Sequence, residues 1–282
     1  MKASVKALLP ALLALALLAG CGTSAGSAAA PTPMPPESVP PTDDLPGVEM
    51  WEMTCRIVDG AENGALMLAE GEDGPYDGTG IYAFAVGDTP VWIDGEEKTA
   101  ADLTDGMLVT VTWNGMVAES YPGQLGTVYA LSADSGDTDD RCGLYLQVLE
   151  DLWEADPGLN TDLEELGVDF SGLTDLTESE KSALAWVFGN AHGLMPITGT
   201  LEELWQAGCL TPMTESAEGY EDSVALYRWE NGCLFSLTGS AEEGFTARKW
   251  ASGLGAYVFS DCTAVQDADG TWSYTIGDEA IA

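Results

Sequence analysis

Few side chains in this sequence could do chemistry at neutral pH. Histidine occurs once among 282 residues, at His192, so any Ser-His or Cys-His nucleophilic site must use that imidazole as its base. His192 closes the apolar-periodic run that ends in Gly189-Asn190-Ala191-His192-Gly193. There an imidazole meets the last carbonyls and the negative dipole end of a helix, and service at the helix terminus is the expected role. A single histidine excludes a multi-histidine zinc site, and no C-x-x-C pair is present to build a thiolate one. Asp137, Asp139 and Asp140 suggest calcium, but an EF-hand loop counted from Asp137 puts Arg141 and Cys142 at its fifth and sixth positions, where the template needs an oxygen ligand and a glycine. No metal site and no cofactor is expected. The one adjacent basic pair, Arg248-Lys249, is followed by Trp250 and could hold an anionic ligand beside an aromatic face. Internal ion pairing with some of the many carboxylates is the expected role for these residues.

Carboxylates, by contrast, are everywhere. The chain has 9 Lys and Arg against 47 Asp and Glu, a formal charge of -38. Clustered cations are needed to displace counterions from a polyanion, so nucleic acid is excluded as a partner, and so is electrostatic docking on an anionic membrane. A glycosidase pair of carboxylates is satisfied by number and located by nothing. At 45% hydrophobic and 9% aromatic residues the chain has enough apolar surface for a folded core.

The first segment is an address. Lys2 and Lys6 precede a Leu/Ala run from Ala7 to Ala19, the layout of an export signal, and the run is too short to span a bilayer. Its end, Leu18-Ala19-Gly20-Cys21, resembles the lipobox of bacterial lipoproteins. That resemblance implies cleavage after residue 20, diacylglycerol on Cys21, and a protein held through this lipid on the outer, extracytoplasmic face of the cell membrane. Residue 22 is Gly, not the Asp that directs some such proteins to an inner membrane. Residues 21–49 are rich in Pro, Ala and Ser and read as an extended, disordered stalk. With Cys21 lipidated, five cysteines remain, and an odd set cannot pair fully within one chain. Export permits disulfides. The expected bridge is Cys233 to Cys262, with Cys55 a buried thiol.

Two folded units are expected to follow. In residues 50–133, short apolar runs at Met50–Asp59, Ala65–Ala69, Ile81–Val86, Val91–Ile93, Met107–Trp113 and Gly126–Leu131 read as strands. Asp94-Gly95 and Asn114-Gly115 supply hairpin turns. The run Asp102 to Val111, with Trp113-Asn114-Gly115 and Glu119-Ser120-Tyr121-Pro122, resembles the YobA-like group of small secreted OB-fold domains of Firmicutes. It implies a small all-β, OB-like barrel and carries over no catalytic residue. OB barrels bind single strands or sugars, but Arg56 and Lys98 are the only cations between Met50 and Leu131. Trp92, Trp113, Tyr121 and Tyr129 could stack on a sugar, although core packing is the usual role of sheet aromatics.

A polar hinge at Ala133–Asp140 leads into residues 134–282. Leu144–Trp153 carries helical spacing, Thr177/Glu180 and Thr200/Glu203 are capping boxes, and five strands follow. Of these, Val224–Trp229 and Cys233–Thr238 flank Asn231-Gly232 as a hairpin. The expectation is an α+β domain with helices packed on an antiparallel sheet. Taken together, the chain reads as a lipid-anchored binding or scaffolding protein of a bacterial envelope, non-enzymatic, whose partner is an envelope protein or a glycan. The sequence does not fix its oligomeric state. Two other readings stay open: a surface hydrolase acting on glycans through carboxylates, and a divalent-cation-binding surface protein.

Overall fold

Alternating burial along Trp51–Asp59 shows how the first sheet is built. Met53, Cys55 and Ile57 face one core, while Val58 faces another. This strand, β1, is the centre of a nine-stranded sheet in a computed structural model that describes residues 49–214, 224–267 and 270–281. Its companions are β2 (Ala65–Glu70), β3 (Ile81–Ala85), β4 (Val91–Ile93), β5 (Glu96–Lys98), β6 (Met107–Trp113), β7 (Val117–Ala118), β8 (Gly123–Leu125) and β9 (Val128–Thr138). The order is β5-β4-β9-β6-β1-β2-β3-β8-β7, an open half-barrel. The segment read as an export signal, Cys21 and the proline-rich stretch up to residue 48 lie outside the described residues.

Period-two alternation gives the half-barrel two buried faces. Leu66, Leu68, Tyr82, Val109, Val111 and Leu131 fill the inner face, whereas Met67, Ala69 and Ile81 point outward into a second core. That second core belongs to the rest of the chain. It contains α1 (Arg141–Glu154), β10 (Glu165–Leu173), α2 (Glu178–Ala191), β11 (Pro196–Thr198), α3 (Leu201–Gln206), β12 (Thr211–Pro212), β13 (Tyr227–Arg228), β14 (Gly232–Ser240), β15 (Gly244–Ser252), β16 (Gly255–Gln266), β17 (Trp272–Thr275) and β18 (Asp278–Ile281). The main path of this sheet is β11-β10-β14-β15-β13-β12, with β16 beside β15 and β17 and β18 on the far edge of β16.

This arrangement overturns the expected OB-like barrel followed by an α+β domain. The molecule is mostly β, at 47% strand and 21% helix, with two large sheets and three α-helices among the described residues. Two physical reasons account for the difference. The second sheet is mixed: β10 runs parallel to both β11 and β14, and the β10-α2-β11 crossover supplies the connection that a parallel pair requires. The helices are also not the property of one sheet. α2 packs on β1, β2 and β3 of the half-barrel as well as on β10 and β11, so it fills the space between sheets.

Local signals fared unevenly. Both capping boxes form: Glu180 N donates to Thr177 Oγ1 at 3.3 Å while Thr177 N donates to Glu180 Oε2 at 2.8 Å, and Thr200 with Glu203 repeats the pattern at 3.2 and 2.8 Å. Asp94-Gly95 turns β4 into β5 with φ of 55° and 74°, the left-handed pair of a tight hairpin. Asn114-Gly115 and Asn231-Gly232, by contrast, make no hairpin. β6 has both edges filled by β1 and β9, so the chain after Asn114-Gly115 joins β8 instead. β14 is occupied by β10 and β15, leaving β13 to pair with β12 and β15. The stretch read as a polar hinge is strand for most of its length, because β9 continues through Ala133 to Thr138.

Candidate functional site

A buried carboxylate shapes one end of the half-barrel. Glu70 closes β2 with 2% of its surface exposed. Its Oε1 accepts from Tyr76 N at 2.7 Å and Gly78 N at 3.2 Å, and its Oε2 accepts from the Tyr82 hydroxyl. The loop of residues 71–80 is therefore wrapped around its own root. Gly74 and Gly80 lie so close that a β-carbon at either would sit about 2.2 Å from Glu70 side-chain atoms. Burial, followed by this hydrogen bond, pushes the Tyr82 phenol well above its ordinary range. From the outer side, Ser179 near the start of α2 donates to the Glu70 carbonyl at 2.7 Å.

The loop leaves a cleft of about 260 Å³ between itself and the ends of β1 and β6. Trp51 and Trp113 are register partners across the β1–β6 ladder, which puts their side chains on the same face. Trp51 is 54% exposed, Trp113 only 2%, and the Trp113 indole N–H has no partner. Met53 lies one layer deeper, and Asp73, Gly74 and Pro75 form the loop-side wall. The Trp51 edge that carries Nε1 lies against Gly115, whose φ of 74° and missing β-carbon make room for it. Asp73 is fixed as an anion. Partial burial opposes its charge, but the Thr54 hydroxyl (2.6 Å) and backbone N–H (3.0 Å) outweigh that and hold its carboxyl below the usual range. Aromatic faces and carboxylates at the end of a barrel suit a small ligand, since the space is below the ~300–1,000 Å³ of drug-sized sites.

The opposite end of the half-barrel gathers acids. Asp59 ends β1, Asp105 precedes β6, and Asp140 is the N-cap of α1, accepting from Gly143 N at 3.0 Å. Asp105 and Asp140 line a cleft of about 450 Å³ with Glu62, Thr138 and Thr271. Burial pushes the Asp140 carboxyl up to about 6, with Asp105, Asp139 and Asp59 adding to it against the Gly143 hydrogen bond. Asp59 and Asp105 are raised too, in both cases chiefly by burial. Among the described residues, no three His, Cys, Asp or Glu side chains are grouped to hold a metal ion. A third cleft, between β10 and the starts of α2 and α3, is polar but already satisfied. Lys181 pairs with Glu178 at 2.9 Å, Thr200 with Glu203, and Ser171 with Asp169 at 2.6 Å.

The residues singled out in the sequence are used mainly inside the fold. His192 is the C-cap of α2, stacked on Trp153 at 3.6 Å with Nε2 3.1 Å from Glu150. Lys249 and Trp250 are corrected from ligand contacts to core. Lys249 has no exposed surface, and its ammonium donates to the Trp153, Ala155 and Asp156 carbonyls and to Asn160 Oδ1. It thereby neutralises the C-terminal end of α1, the negative pole of that helix dipole. Trp250 is buried in a separate cluster with Leu204, Tyr227 and Trp229. Arg248, their neighbour, is half-buried on β15 and has a partner.

The Cys233–Cys262 bridge does not form. Both are buried free thiols, as are Cys55 and Cys142, while Cys209 is a half-buried free thiol. β15 separates their strands, and Cys233 lies near the Trp250 end of β15 whereas Cys262 pairs with Phe245 at the other. Two strand spacings come to ~9–10 Å, beyond the ~7 Å Cα limit of a disulfide. Of the four aromatics considered for stacking, Trp113 alone lines the cleft; Tyr121 instead packs edge-on against Trp186.

Sequence reasoning missed Trp51, Glu70 and Asp73. A signal for Trp51 was present, because it stands two residues before Met53 on the alternating face of β1. No family model matches the chain, and comparisons with curated proteins and with solved structures find no match.

Proposed function

We propose that this chain is a lipid-anchored, extracytoplasmic binding protein of a bacterial cell envelope, with its ligand seat at the Trp51–Trp113 end of the half-barrel. The anchor is supported by the charged leader, the Leu18-Ala19-Gly20-Cys21 lipobox and the proline-rich stretch after it. The binding reading is carried by one observation: a half-exposed indole and a buried one share a small cleft with an ionised carboxylate. The exposed face of Trp51 is free to stack on a ligand that enters the cleft. Two measurements test the proposal. Cys21→Ser moves the protein from the membrane to the medium, and unchanged membrane retention overturns the anchor. A panel of small amines and saccharides titrated into the full chain gives saturable binding that Trp51→Ala weakens, and a panel with no binder overturns the seat.

A second reading, a hydrolase acting on glycans, draws on the Asp140 carboxyl at about 6 beside Asp105. Raised carboxyls in a cleft are the usual mark of a general acid. Reducing-sugar release from envelope or plant glycans, lost in Asp140→Asn, supports it, and no release from either class removes it.

A further inference from the structure

We infer that the cleft at the Trp51 end takes an organic ammonium cation: a protonated amine on an apolar stem. This rests on the binding reading above and names its ligand class.

Three observations narrow the choice. The first concerns anions. Arg56, Lys98, Arg141, Lys181 and Arg228 are each in an ion pair with a carboxylate of the fold. Lys249 is buried on carbonyls, and Arg248 has a partner. None of these lines the cleft, so an anionic ligand would be desolvated against Asp73 with nothing to offset the cost.

The second separates cations from neutral sugars. A hydroxyl both donates and accepts, so a sugar seat needs both kinds of group around its aromatic platform. Here the side chains that face the cleft are the Asp73 carboxylate, two indoles, a methionine and a proline, while Glu52, between Trp51 and Met53 on β1, turns its side chain to the other face of the strand. The Trp113 N–H is enclosed, and the Trp51 N–H edge lies against Gly115. The wall accepts and hardly donates, which complements an ammonium group with donors and no acceptor.

The third is the field. Asp73 keeps its charge because Thr54 holds it, and the whole chain carries -38, which raises the local concentration of cations. An indole face beside a fixed carboxylate adds the attraction of an aromatic ring for a cation, and Met53 with Pro75 offers the stem an apolar wall.

Isothermal titration calorimetry of the full chain with 1,5-diaminopentane at pH 7 tests this, with 1,5-pentanediol as the neutral probe of the same shape and methyl β-glucoside as the sugar probe. The expected result is saturable heat with the diamine alone, weakened as salt screens it. Trp51→Ala weakens binding about tenfold. Asp73→Asn, which keeps an oxygen acceptor for Thr54, weakens it about threefold, and each variant keeps the wild-type melting temperature to within several degrees. Equal binding of the diol, or binding of the glucoside in place of the diamine, overturns the ammonium assignment and leaves the binding seat standing. No binding by any of the three, with Trp51→Ala inert, counts against both.

Discussion

At one end of the half-barrel Glu70 is buried among three donors, while at the other Asp140 has one donor and three acidic neighbours. The donors at Glu70 come from a loop that the carboxylate itself organises, so the same interaction that satisfies the charge builds the wall of the aromatic cleft. The acids at the other end come from three separate elements: the end of β1, the turn before β6 and the cap of α1. Among the described residues no cation pairs with any of the three. Arg56 and Arg141 are close by in sequence, but Arg56 reaches Asp137 and Glu180 while Arg141 reaches Asp139. At Glu70 the donors bind a carboxylate into the wall of the cleft, whereas at Asp140 burial and acidic neighbours raise the carboxyl, and that difference assigns ligand seating to the first end and pH response to the second.

The largest effect is expected at Glu70. Glu70→Ala leaves the Tyr82 hydroxyl and two loop N–H groups without partners, which costs about 3–5 kcal/mol in urea unfolding. A loss under 1 kcal/mol would mean that the loop does not depend on this carboxylate, and the contrast would fail.

Asp140→Asn has the opposite sign. Asparagine is as good an N-cap as aspartate, and it removes a charge that burial and like-charged neighbours disfavour. The folded carboxyl, at about 6, lies above its unfolded value of about 3.9, so the native state holds the proton more tightly. That contribution to stability is fully present below about pH 4 and is lost as pH rises through about 6. Asp140→Asn therefore gains roughly 1–3 kcal/mol at pH 8 relative to wild type and nothing below pH 4. A difference independent of pH between 4 and 8 contradicts the assignment. Comparing variant with wild type is essential, because Asp73 and Asp139, held below the usual range, push the total curve the other way at low pH.

The smaller loss belongs to Trp51. Half its surface is already in water, so Trp51→Ala costs about 2 kcal/mol. A loss above 3 kcal/mol would make Trp51 a core residue and remove the reason to read the cleft as a seat.

How far the sequence carried depended on whether a signal was local. The Thr177/Glu180 and Thr200/Glu203 boxes and the Asp94-Gly95 turn formed as read, because each is decided within four residues. Asn114-Gly115 and Asn231-Gly232 failed because a hairpin also needs a free strand edge, and β1, β9 and β10 had taken those edges. β10 itself was invisible. Its Gly167, Asp169, Ser171 and Gly172 dilute the β pattern, and only the parallel neighbours β11 and β14 make it a strand. Lys249 reads in sequence as a cation for an anionic ligand or a carboxylate partner, whereas its actual partners, the carbonyls ending α1, are about ninety residues away. The cleft was half legible: Trp113 stood out as an aromatic on a strand, but Asp73 and Glu70 gain their roles from a loop whose path no periodicity announces.

The claim that the Trp51 end, and not the acidic end, seats the ligand is tested most directly by nuclear magnetic resonance of the full chain titrated with 1,5-diaminopentane. The account predicts shifts of the Trp51 indole N–H and of the Asp73 and Gly74 amides, with Asp105, Asp140 and Gly143 unmoved. Shifts confined to Asp105, Asp140 and Gly143 would contradict it.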